Sequence, residues 1–245
     1  MATVEICHLY PRELNIYADR GNLAVFAHRL AARGHRLRIV EVEPGDQLPT
    51  GAHLYYLGGG QDRDQLMVAD DLRGTKGQRL REVVDGGAVM LAVCGGFQLA
   101  GHGYTAVDGT RMDGVGVLDA DTIGGPTRLI SNIAIEAELE GERGRIVGFE
   151  NHAGRTTLGT GSVPLGRVIT GFGNDGTSGF EGAVTRRAIG TYLHGPLLPK
   201  NPWLADRLLE WALEAAGTPV SLDPLDDALE IAAQRAALRR MGLTA

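Results

Sequence analysis

The first hundred residues alternate between two hydrophobic rhythms. Val4 to Leu9, Leu37 to Val42, Leu54 to Leu57 and Val89 to Val93 are short apolar runs of the length expected of buried strands. Between the first two, Leu23, Phe26, Ala27 and Leu30 recur at helical spacing. Tyr10 to Asn22 reads as a loop, Asn22 as the N-cap of a helix through Arg33, and Gly34 as its terminating glycine. Gln61 to Asp85 reads as helical, broken near Gly74 and Gly77. Strands alternating with helices predict an α/β fold, a doubly wound and mostly parallel sheet with right-handed crossovers and flanking helices. Ligands bind at the carboxyl ends of the strands in such sheets.

The rhythm changes from Tyr104 to about Thr185. Glycine is dense and helical periodicity is absent. Val115 to Leu118, Leu129 to Ile135 and Ile146 to Phe149 read as strands of an antiparallel, Gly-rich insertion. Ala188 to Leu193 is a further apolar strand that ends on His194-Gly195-Pro196. Asn201-Pro202 predicts a helix start, and Asp223-Pro224 another before a last helix from Leu225 to Met241. No repeat or linker interrupts the pattern, so residues 1–245 are expected to form one domain.

Composition narrows the function classes. A formal net charge of -6 argues against a nucleic-acid surface. No apolar run reaches the roughly 18 residues of a membrane span. The N-terminus reads directly as a strand, with no basic region or signal peptide. The two cysteines, Cys7 and Cys94, do not suggest a disulfide framework, and a reducing cytoplasm is the expected location.

Candidate chemistry centres on Val93-Cys94-Gly95-Gly96-Phe97-Gln98. A strand that turns at once into a helix holds the turn residue in a tight backbone with its side chain exposed above the sheet. This is the nucleophile-elbow arrangement, here with Cys. Small residues follow because the strand and helix backbones nearly touch. The amide of Gly95, with one from Gly58-Gly59-Gly60 such as that of Gly60, could form an oxyanion hole. A thiolate needs a base. Of seven histidines, His194 stands at the end of a strand on the same sheet edge as Cys94, and His152 ends another strand. Cys7 lies within the first strand and reads as core. Arg128 starts a strand, and its planar fork could hold a carboxylate or simply lie on the surface.

The motifs Gly58 to Arg63, Val93 to Leu99 and Tyr192 to Pro196 resemble the cobyric-acid-synthase-like branch of class I glutamine amidotransferases. Leu14 to Asn22 and Gly148 to Thr156 are similar, more closely, to the glutaminase subunits of enzymes that amidate lipid II. The resemblance implies a cytoplasmic enzyme that hydrolyses L-glutamine and hands ammonia to a Mur-ligase-like partner, MurT. That partner would amidate the α-carboxyl of D-glutamate in the peptidoglycan precursor. The resemblance makes Cys94 the nucleophile, His194 the base and Arg128 the glutamine-binding residue. It places ATP and Mg on the partner and no metal or cofactor in this chain, which has no nucleotide-binding P-loop motif. Many class I glutaminases have Glu two residues after the catalytic His; here Pro196 stands there. The third acid would come from elsewhere in the chain, for instance Glu150, or from the partner, which would then raise the rate of a poorly active isolated chain. Two other readings are a corrinoid as acceptor and a non-catalytic metabolite-binding module on the same fold.

Overall fold

The computed structural model describes residues 1–16, 20–219 and 221–244. In chain order the strands are β1 (Thr3–Leu9), β2 (Arg36–Val42), β3 (Leu54–Leu57), β4 (Val89–Val93), β5 (Gly103–Thr105), β6 (Arg111–Asp113), β7 (Ala120–Leu139), β8 (Glu142–Leu158), β9 (Gly166–Thr170), β10 (Phe180–Glu181), β11 (Ala183–Thr185) and β12 (Ala188–Thr191). The helices are α1 (Arg20–Ala32), α2 (Asp62–Leu72), α3 (Thr75–Asp85), α4 (Gly95–Ala100), α5 (Pro202–Ala215) and α6 (Ala228–Arg240).

Among the described residues the strands form two sheets. The first has the order β11-β12-β4-β3-β1-β2, with every neighbouring pair parallel except β11 and β12 at one edge. The second has the order β10-β9-β7-β5-β6, with β8 pairing along β7. The doubly wound sheet predicted from the alternating pattern is therefore present, and the Gly-rich region is the largely antiparallel second sheet. β3, β4 and β12 are buried along their whole length, as strands covered on both faces must be. Helices α4 and α5 pack against β4, and α1 packs against β2 and α5. Arg29 locks α1 to the C-terminal part of the chain through paired hydrogen bonds to Asp206 and Asp227.

Several local expectations are corrected. Asn22 lies inside α1 rather than at its cap; its amide donates to Tyr56 Oη at 3.1 Å and accepts from Leu198 N at 2.9 Å. Residues 17–19 of the expected loop, which also fall in the Leu14–Asn22 stretch, lie outside the described residues. Val115 to Leu118 is not a strand. It is apolar because it is buried, and its amides satisfy the last carbonyls of α4: Val115 N to Leu99 O, Leu118 N to Ala100 O and Gly116 N to Gly101 O. The short strands expected at 129–135 and 146–149 are segments of one long hairpin, β7–β8. Its two-residue turn, Glu140-Gly141, has φ of 51° and 84°, the sign that lets a tight hairpin match strand twist. The last helix starts at Ala228, after an Asp226 carboxylate that accepts from the Ala228 amide.

Candidate active site

The carboxyl ends of β3, β4 and β12 form the floor of the site. β4 ends at Val93, and Cys94 takes φ 52° and ψ −106°, a backbone that L-residues rarely hold. The strain is held in place from both sides. Cys94 N donates to Thr191 O on β12 at 2.8 Å, and Gln98 N donates back to Cys94 O at 3.0 Å to open α4. A Cβ on Gly96 would sit 2.7 Å from Leu57 Cβ and 2.8 Å from Gly58 O, so helix and strand approach as closely as the sequence predicted. The elbow is real, and its thiol lines a cavity of about 600 Å³. Cys7 differs: burial, and then the charge of Glu5, push its thiol up to about 12, which leaves it inert in the core.

Gly60 and Gly95 meet beside Cys94. A Cβ on Gly95 would fall 3.0 Å from Gly60 N. Among the described residues, neither glycine amide donates a hydrogen bond within the protein. Two adjacent amides with unspent donors, next to a candidate nucleophile, are what an oxyanion hole requires. Gln65 Nε2 donates to Gly60 O at 3.1 Å and fixes that loop.

Arg128 also lines the cavity, for a reason the sequence only partly showed. It lies within β7 rather than at a strand start. The β7–β8 ladder breaks between Gly124 and Leu129, so the segment carrying Arg128 bulges out of register. Arg128 Nε donates to Asn151 Oδ1 and Nη2 to Asn151 O, each at 2.7 Å. Those bonds use the side edge of the guanidinium and leave its outer fork, Nη1 with the second Nη2 proton, for a ligand carboxylate.

The two candidate histidines take different places. His194 is fully buried three residues past the end of β12, the strand next to the nucleophile's, whose Thr191 carbonyl receives the Cys94 amide. Its backbone makes a reciprocal pair with Phe149: His194 N to Phe149 O at 2.8 Å and Phe149 N to His194 O at 3.2 Å. This bridge draws β8 over the sheet edge. His152, on β8, lines the cavity and stacks on Tyr192 with ring centroids 3.6 Å apart. Its Nδ1 lies 2.9 Å from Gly154 O, and a carbonyl can only accept, so that nitrogen carries the proton. Burial lowers the His152 pKa, opposed by Glu150, whose Oε2 is 3.8 Å from Nε2. Glu150, named above as an example of a third acid, is held by the amides of Phe172 (2.7 Å) and Gly173 (2.9 Å) and faces His152.

Other residues at the site went unnoticed in the sequence. Gln98 Nε2 donates to Tyr192 Oη at 3.3 Å, and Tyr192 Oη, Thr156 Oγ1 and Thr122 Oγ1 form a buried chain at 2.6 and 2.8 Å. Glu181, fully buried, accepts from Tyr192 N at 2.7 Å and from the Thr191 hydroxyl. It thereby anchors the segment leading to His194. Such networks join residues far apart in sequence, and no spacing announces them. Gln98 is the exception: it follows the motif glycines Gly95 and Gly96 closely and could have been found there.

Comparisons with known proteins identify the family. The model of the CobB/CobQ-like glutamine amidotransferase domain matches residues 5–202. The lipid II isoglutaminyl synthase (glutamine-hydrolyzing) subunit GatD of Staphylococcus aureus is 36% identical over 241 residues, covering 98% of this chain and 97% of that one. GatD of Streptococcus pneumoniae is 36% identical, covering 92% and 87%. A cobyric acid synthase of Brucella melitensis is 32% identical over 74% of this chain but only 35% of its own length. In fold, the chain is similar to PurLQS of Thermotoga maritima (TM-score 0.56, 15% identity, 87% of this chain and 97% of that one). It is also similar to a glutamine amidotransferase from Thermotoga maritima (TM-score 0.52, 18% identity, 98% and 92%). On the family match and the near full-length identity to its relatives, the chain belongs to the CobB/CobQ-like glutamine amidotransferases.

Proposed function

We propose that this chain is the glutamine-hydrolysing subunit of a lipid II isoglutaminyl synthase, with Cys94 as its covalent nucleophile. The observation that carries the mechanism is the strained Cys94 elbow at the wall of the cavity, beside the Gly60 and Gly95 amides. The acceptor reading rests on the relatives that match this chain end to end, both GatD subunits. The corrinoid reading is weaker, since this chain spans about a third of the cobyric acid synthase it resembles.

In the proposed reaction the Arg128 fork holds the α-carboxylate of L-glutamine, and its side-chain amide lies over Cys94. His194 takes the thiol proton, and Sγ attacks the amide carbon. The tetrahedral oxyanion faces the amides of Gly60 and Gly95. The proton passes from His194 to the nitrogen, the C–N bond breaks, and ammonia leaves. Water then attacks the γ-glutamyl thioester and releases glutamate and the thiol. The ammonia serves a Mur-ligase-like partner, MurT, which would use ATP and Mg to activate the D-glutamate α-carboxyl of lipid II. The location would be the cytoplasm; among the described residues no helix is long and apolar enough to cross a membrane.

The test is ammonia release from L-glutamine by the chain alone and with the protein that co-purifies with it, followed by amide transfer to lipid II. Glutamine hydrolysis raised by a ligase-like partner, with amidated lipid II as product, supports the reading. Hydrolysis coupled to a corrinoid acceptor would replace it.

A further inference from the structure

The proposed chemistry accounts for the reacting amide and the α-carboxylate of glutamine, but not for its α-ammonium. The cavity wall carries two cations, Arg63 and Arg128, and among the described residues one acid, Asp62. Asp62 opens α2 immediately after the Gly60 loop, so the backbone that supplies an oxyanion donor also sets this carboxylate. Among the described residues Asp62 makes no hydrogen bond and no ion pair, unlike Arg128, whose side edge is tied to Asn151. Tyr104 lines the cavity with both charges and senses each of them. Its buried phenol lines the same cavity, and its pKa is raised first by burial and then by Asp62, while Arg128 opposes the rise.

A carboxylate and a guanidinium lining one cavity with a nucleophile match a zwitterionic amino-acid head group whose side chain points to the thiol. Resting on the glutaminase reading, we propose that Asp62 binds the α-ammonium of L-glutamine and, with Arg128, selects an α-amino acid over amides that lack the amino group. Asp62 also stands where an acid favours a helix N-terminus, but Asp64 in the same turn offers that interaction without lining the cavity. The side chain is exposed, so its substitution leaves the fold intact.

The experiment compares L-glutamine with 4-carbamoylbutanoate, the same amide without the amino group, on wild type and Asp62→Asn. Wild type is expected to prefer L-glutamine. Loss of a charged hydrogen bond should raise KM for L-glutamine about tenfold to hundredfold, with kcat little changed. KM for 4-carbamoylbutanoate should not move, so the preference collapses. Asp62→Glu should recover part of it, and alkylation of Cys94 by iodoacetamide should be the same in all forms. A preference for L-glutamine that survives Asp62→Asn overturns the assignment while leaving the glutaminase reading standing. Wild type that releases no ammonia from L-glutamine, with its partner present, overturns both.

Discussion

Gly96→Ala tests whether the elbow depends on backbone contact. The added methyl would meet Leu57 Cβ at 2.7 Å and the carbonyl oxygens of Gly58 and Leu57, each at 2.8 Å. None of these is the far end of a flexible side chain, so β3 and α4 must move apart. Overpacking of this kind costs about 1–3 kcal/mol, and contact with three fixed atoms puts this site near the upper end. Alanine recovers at most about 1 kcal/mol of helix propensity, because α4 is short and Gly96 is in its first turn. The clash therefore wins by about 2 kcal/mol. For a chain of this size that corresponds to a fall of roughly 4–8 °C in melting temperature. Gly51→Ala is the control, since a Cβ there meets nothing within 4 Å and should change stability by less than about 0.5 kcal/mol. Thermal unfolding of both variants, followed by glutaminase rates well below each midpoint, gives the readout. Gly96→Ala should also slow turnover, because the amides of Gly60 and Gly95 move with the loop. A Gly96→Ala variant that melts and turns over like Gly51→Ala would refute the close-approach argument.

Further expectations concern single side chains. Arg128→Ala should raise KM for glutamine about tenfold to hundredfold, the cost of a charged contact, while iodoacetamide still alkylates Cys94 at the wild-type rate; an unchanged KM returns Arg128 to the surface. His194→Ala should abolish trapping of the thioester and His152→Ala should only weaken it; the reverse order would make His152 the base. Burial raises the Glu181 carboxyl from its ordinary 4.5 to about 8, against the Tyr192 amide, which favours the charged form. The folded state then binds more protons than the unfolded one, so this site's contribution is full below about pH 4.5 and is lost as pH rises toward 8. Glu181→Gln cannot ionise, so its melting temperature relative to wild type should climb between pH 5 and pH 8; a constant difference would show that Glu181 does not titrate there.

The parallel sheet and the elbow were legible because both follow from local pattern. Buried parallel strands are written as unbroken apolar runs, and Cys94-Gly95-Gly96 directly after such a run supplies the small residues that a tight strand-to-helix turn needs. The long hairpin was not legible, because Gly124 to Arg128 interrupts its alternation at the bulge that turns Arg128 toward the cavity. Val115 to Leu118 misled for a physical reason: an apolar run means burial, and here the buried segment caps a helix instead of pairing with a strand. The roles of Asn151, Tyr192 and Glu181 depend on contacts that span 23, 94 and 11 residues, which only the folded chain brings together.

The most direct test of the central claim is peptide mass analysis of the chain, with its partner, after an acid quench in the presence of L-glutamine. A γ-glutamyl adduct should form on the peptide containing Cys94 in wild type. Neither adduct nor ammonia should form in Cys94→Ala. Ammonia release at near wild-type rate from Cys94→Ala would contradict the account.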